Sequence, residues 1–149
     1  MKKVLLLLLL TPFIFSSCSK DDPNIVDDYV DTWNLTATGT IQMLDSKGAT
    51  VGSLSVDNSL ESDQITKEGS NQLNIDNWVA TVSGSSLSIE PTTQPISIII
   101  GFSPTTANVK YTGTISKNLI KITETYSGTW TQENGSGTIS GSIVYTYTR

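Results

Sequence analysis

The sequence predicts an all-β fold: a small antiparallel meander of eight to ten strands, closed as an up-and-down β-barrel, with a two-sheet sandwich as the alternative. Three observations predict it. Apolar and polar residues alternate with period two over long stretches, and turn residues recur at short intervals between them. Ser (20) and Thr (21) make up 41 of the 149 residues, and β-formers dominate the apolar set. No 11-residue window carries an apolar stripe at helical spacing, and Pro91 and Pro95 exclude a helix around them.

The chain opens on an address rather than a strand. Lys2 and Lys3 precede an apolar run over residues 4–10, then a Pro-containing apolar patch that ends at small Ser16 and Ser17. This is the pattern of a secretory signal peptide over residues 1–17, too short for the roughly 20 apolar residues of a spanning helix. Phe15-Ser16-Ser17-Cys18 resembles a bacterial lipobox, which implies that Cys18 is lipidated and becomes the first mature residue. Lys20-Asp21-Asp22 resembles the export signal that sends lipoproteins of Bacteroidota to the outer face of the outer membrane. Several acyl chains at about 0.8 kcal/mol per buried methylene would make that anchor effectively permanent. Residues 18–28 read as an acidic, flexible tether, and 29–149 as a single β domain.

Cleavage before Cys18 leaves 132 residues, with 7 basic against 14 acidic and a net charge of −7. An acidic domain is a poor partner for phosphate backbones, so no nucleic-acid partner is expected. The chain has no histidine and one cysteine. Histidine-based triads, His-ligated metals and internal disulfides are therefore excluded. Asp57, Asp76, Glu90 and Glu124 have no spacing that recommends a pair for glycoside hydrolysis. Neither an enzyme nor a cofactor is expected.

The mature strands follow in order. Trp33, Leu35, Ala37, Gly39, Ile41 and Met43 alternate with Asn34, Thr36, Thr38, Thr40 and Gln42, one apolar face and one polar. Weaker strands fall near 51–56, 60–66, 73–82, 87–89, 96–101 and 119–130. The parity change at Asp76-Asn77 predicts a bulge or bend within 73–82. Val109, Tyr111, Gly113 and Ile115 form another inward row, and Ile139, Gly141, Ile143, Tyr145 and Tyr147 the last. The inward glycines leave room for a neighbouring ring or for a cavity.

Tyr29-Val30-Asp31-Thr32-Trp33-Asn34-Leu35-Thr36 resembles the opening strand of the lipocalin-like lipoproteins of Bacteroidota, with Asp31 where that family has Gly. Two later stretches, 80–89 and 113–122, resemble the same family in rhythm. The resemblance implies a barrel closed at one end by Trp33, stacked on Arg149 near the chain end. It also implies an interior able to take a small, partly apolar ligand.

Two candidate sites follow from the residues themselves. Glu124 interrupts the row Ile120, Ile122, Tyr126 and Trp130, so regular pairing turns its carboxylate inward unless a bulge at Thr125 releases it. An interior carboxylate needs a partner and marks a candidate ligand site. Trp78, Trp130 and Phe102 are candidates for an aromatic platform that takes sugars. The expected partners are therefore the membrane, through lipid on Cys18, and a small hydrophobic ligand or glycan. The alternative is a structural or interaction module with a solid core and no ligand.

Overall fold

The computed structural model describes residues 25–98, 104–133 and 135–149, with the backbone alone at positions 59 and 60. Among these residues it is almost entirely antiparallel strand. A short 3-10 turn, Asp27–Tyr29, leads into β1 (Asp31–Asp45), β2 (Thr50–Gly69), β3 (Gln72–Ile75), β4 (Trp78–Ser83) and β5 (Ser86–Ile89). Then come β6 (Thr92–Ile96), β7 (Thr105–Ser116), β8 (Leu119–Gln132) and β9 (Gly135–Thr148). The all-β expectation holds, and nine strands fall within the expected eight to ten.

All nine strands belong to one sheet, ordered β5-β4-β3-β2-β1-β9-β8-β7-β6, so two separate sheets are not formed. A further pairing of β5 with β7, at Ser86–Thr114 and Leu87–Gly113, closes eight of the strands into a ring of hydrogen bonds. β6 lies outside that ring, pairing with β7 over Thr105–Val109 further along the same side that β5 uses. Pro95 sits in β6, which pairs with β7 alone among the described residues, as the missing N–H of proline requires.

The alternation read from the sequence sets which face is inside. In β1, Trp33, Ala37, Ile41 and Met43 are buried while Thr32, Asn34, Thr38, Thr40 and Gln42 are exposed. Ala107, Val109, Tyr111 and Ile115 of β7 and Ile139, Ile143 and Tyr147 of β9 do the same. The core is these inward rows, joined by Leu73, Ile75, Ala80 and Val82 of β3 and β4.

Three local expectations are corrected. Residues 51–56 and 60–66 are not two strands: they are parts of β2, which absorbs one extra residue between the pairs Leu35–Glu61 and Ala37–Asn58. With no Gly or Pro to break it, the strand runs on through the polar stretch 57–59, and the bulge falls at positions 59 and 60. Residues 73–82 are not one bent strand but the hairpin β3–β4, turning at Asp76-Asn77 with Ile75 paired to Trp78. Asp76 has φ 52°, a left-handed conformation that Asp tolerates better than most residues. In place of the strand expected over 96–101, a strand runs over Thr92–Ile96 and residues 97 and 98 are not strand, while 99–101 lie outside the described residues.

The inward glycines fill a different role from either one expected of them. A Cβ on Gly39 would lie 2.1 Å from the Ser142 carbonyl oxygen, and one on Gly141 would lie 2.2 Å from that of Thr40. These glycines let the backbones of β1 and β9 approach. At Gly113 the obstacle is the Leu87 side chain, at 2.8 Å.

Of the expected tether, 18–28, the described part lies against the domain. Val26 is fully buried, and Asp27 accepts an ion pair from Lys67 at 2.9 Å. Residues 26 and 27, expected to belong to the tether, thus make contacts with the β domain.

Candidate functional site

The interior of the ring carries one polar cluster, and Glu124 is its centre. Pairing around it is unbroken: Glu124 stands opposite Tyr111 of β7 and Ile143 of β9. With no bulge at Thr125, strand parity turns the carboxylate inward, where it is 2 % exposed. It is the one charged residue among the buried side chains described.

Two phenols hold it. The Tyr126 hydroxyl donates to Glu124 Oε2 at 2.5 Å, and the Tyr145 hydroxyl donates to the same oxygen at 3.0 Å. The first distance is that of a charge-assisted O–H···O⁻ bond. Tyr126 comes from the same inward row of β8, two residues on. Tyr145 comes from β9, where it pairs with Ile122 and so reaches Glu124 diagonally. Burial pushes both phenols well above their ordinary pKa, and the Glu124 charge and hydrogen bond push them further.

Around this centre the other inward rows supply aromatic and polar groups. Trp78 lies 5.0 Å from the Tyr145 ring at 75° and 5.8 Å from the Tyr111 ring at 58°. The Tyr111 hydroxyl takes a hydrogen bond from Gln94 Nε2 at 3.2 Å and shares one with Thr92 Oγ1 at 3.0 Å, which ties β6 to the cluster. Two neighbouring groups are left over: Asp63 Oδ2 and the Tyr147 hydroxyl are buried with no hydrogen-bond partner. Burial raises the Asp63 pKa, against the backbone N–H of Gln64. Tyr147 is raised above its ordinary pKa by burial, and then by the charges of Asp63 and Asp76.

The residues singled out from the sequence are thus brought together only in part. Glu124 and Trp78 share Tyr145 as a neighbour. Trp130 stands apart from them: its indole N–H donates to the Leu44 carbonyl at 3.0 Å, with Gly135 and Gly137 beneath the ring, and it is 5 % exposed. A buried, hydrogen-bonded indole offers no face to a sugar, so the platform with Trp78 is not formed. Phe102 lies outside the described residues, as do Cys18, Lys20, Asp21 and Asp22.

Trp33 and Arg149 do meet. The Arg149 guanidinium carbon is 4.2 Å from the centre of the Trp33 ring, and Arg149 also donates to the Asp28 carbonyl at 2.5 Å and lies 3.7 Å from Asp31 Oδ2. The Trp33 indole N–H donates to the Tyr29 carbonyl at 3.0 Å.

Sequence reasoning missed Tyr126, Tyr145, Tyr111 and Asp63 as members of the site. The first three were legible as inward residues, since they share parity with the core. Asp63 has the same parity as buried Ile65 on β2, a polar interruption of the kind that marked Glu124.

Outside the interior, two shallow depressions lie on the outer face. One of about 230 Å³ is lined by Thr112, Gly113, Thr114, Lys121 and Thr123, and one of about 630 Å³ runs over β6, β7 and the edge of β8. Neither touches Glu124. Among the described residues no group of three or more Cys, His, Asp or Glu side chains is placed to hold a metal ion. No family model matches the chain, no curated protein matches it, and no solved structure matches it.

Proposed function

We propose that the protein is a lipid-anchored, surface-displayed lipoprotein of the outer membrane whose closed sheet is a lipocalin-like container for a small, partly apolar ligand. The anchor is lipidated Cys18, and Lys20, Asp21 and Asp22 direct export. The protein binds and does not catalyse. The observation that carries the binding reading is the buried Glu124 carboxylate, held by two phenols on one oxygen, inside a core built mainly from apolar side chains. A carboxylate kept out of water is costly, and packed aliphatic residues in its place would stabilise the fold more. Its presence is therefore better explained by recognition than by stability. The competing reading, a solid structural module, has no use for such a group.

Protein extracted from the membranes of its own cells and examined by native mass spectrometry tests both halves. The expected spectrum shows acyl mass on Cys18, lost together with membrane association in Cys18→Ala, and a small molecule that leaves on denaturation. A Cys18→Ala protein that still pellets with membranes rules out the anchor. An empty spectrum rules out the container.

A further inference from the structure

We infer that the interior site takes a methylated organic ammonium ion, its cationic head set against Glu124 and the ring faces of Trp78, Tyr111 and Tyr145. This deepens the container reading and rests on it.

The first observation is an unbalanced charge. Glu124 is buried, and every basic side chain among the described residues, from Lys47 to Arg149, is exposed. Lys67 is spent on Asp27, and Arg149 on Trp33 and Asp31, at the surface. Nothing described inside the ring neutralises the carboxylate. Both phenol donors go to the same oxygen, Oε2.

The second is the arrangement of the rings. Trp78 meets Tyr145 edge-to-face at 75° and is tilted by 58° to Tyr111, so neither pair is stacked. Aromatic rings beside an anion suit a diffuse positive charge, because the electron-rich ring faces attract cations. Trp78 and Tyr145 belong to inward rows yet are only partly buried, which leaves their surfaces reachable.

The third is an independent group that lacks a partner. The Tyr147 hydroxyl, on a residue with no exposed surface, is two positions along β9 from Tyr145 and has no hydrogen bond of its own. It is free to meet the polar part of a ligand whose head lies at Glu124.

The choice of a methylated head follows from the rings, whose faces suit a charge spread over methyl groups. A primary ammonium brings three N–H donors that each need an acceptor. The lining beside Glu124 is instead mostly aromatic ring, from Trp78, Tyr111 and Tyr145. A quaternary head needs none and presents methyl groups to the ring faces.

The test compares choline with 3,3-dimethylbutan-1-ol, its uncharged isostere, on the full mature protein in detergent, by calorimetry and tryptophan fluorescence. Choline is expected to bind at least tenfold more tightly than the isostere. Glu124→Gln is expected to remove that preference while leaving the isostere's affinity unchanged, and Trp78→Leu to weaken choline at least fivefold. Should Glu124→Gln fail to fold by circular dichroism, Trp78→Leu, at a partly exposed position, carries the test. Equal binding of the two probes, no binding of choline, or choline affinity unchanged in the folded variant overturns the inference. A bound neutral molecule in the native mass spectrum, with choline failing to bind, overturns the cation alone and leaves the container standing. An empty spectrum with neither probe bound removes both.

Discussion

Two tryptophans secure the two ends of the ring by the same hydrogen bond and by opposite means. Trp33 and Trp130 each donate an indole N–H to a backbone carbonyl at 3.0 Å. At the Trp33 end the acceptor is Tyr29, in the turn before the first strand, and the ring is covered by Arg149, the last residue of the chain. That end is a cap assembled from the segments flanking the first and last strands, held partly by charge. At the Trp130 end the acceptor is Leu44 on β1, reached across β9, and the ring is seated on Gly135 and Gly137. That end is a lock built from side chains that are absent. One end depends on added groups and the other on empty space, so different substitutions should break them.

The largest effect is expected from Trp33→Ala, which empties a fully buried site and leaves the Tyr29 carbonyl without its donor. Core Trp or Phe truncations cost about 3–5 kcal/mol, read here as a lowered urea midpoint at unchanged slope. Gly137→Ala should come next. Its Cβ would stand 1.8 Å from the Leu44 carbonyl oxygen and 2.8 Å from Trp130 Nε1, so the strand or the indole must move. Overpacking of this kind costs about 1–3 kcal/mol. A change in Trp130 fluorescence should accompany the loss. Were Gly137→Ala as stable as the parent, the account of that end as a lock would be wrong.

The smallest effect is expected from Arg149→Ala. The cation–π contact is worth about 0.5–1 kcal/mol at an exposed site, and the 3.7 Å pair with Asp31 adds little in water. The difference from the parent should shrink in 1 M salt, since screening acts on an exposed charge. The same salt should leave the effect of Gly137→Ala unchanged, which makes the pair of measurements a direct check on the contrast between the ends.

What could be read from the sequence divides along the same physical line. Alternation alone gives the faces of β1, β7, β8 and β9, because a half-buried strand must put every second residue in the core. It places Glu124 and Trp33 inside for the same reason. Parity does not say which inward residues lie at the same height, since height depends on strand pairing. Tyr145 meets Glu124 because β9 pairs Tyr145 with Ile122, and Trp130 misses Trp78 because it lies at the β8–β9 turn, opposite Gly137. The hairpin at Asp76-Asn77 escaped notice because Asp supplies there the positive φ for which Gly is the usual signal. The continuity of β2 escaped because a bulge leaves a polar interruption that resembles a turn.

The partnership of β1 with β9 has a consequence for how the molecule comes into being. Asn34 is matched with Thr148, a contact between residues separated by most of the chain. The circle cannot shut until its final segment has arrived, so assembly is a late event governed by one long-range closure. A product cut short before residue 135 would present two bare strand margins, on β1 and on β8, each a template for joining another such fragment.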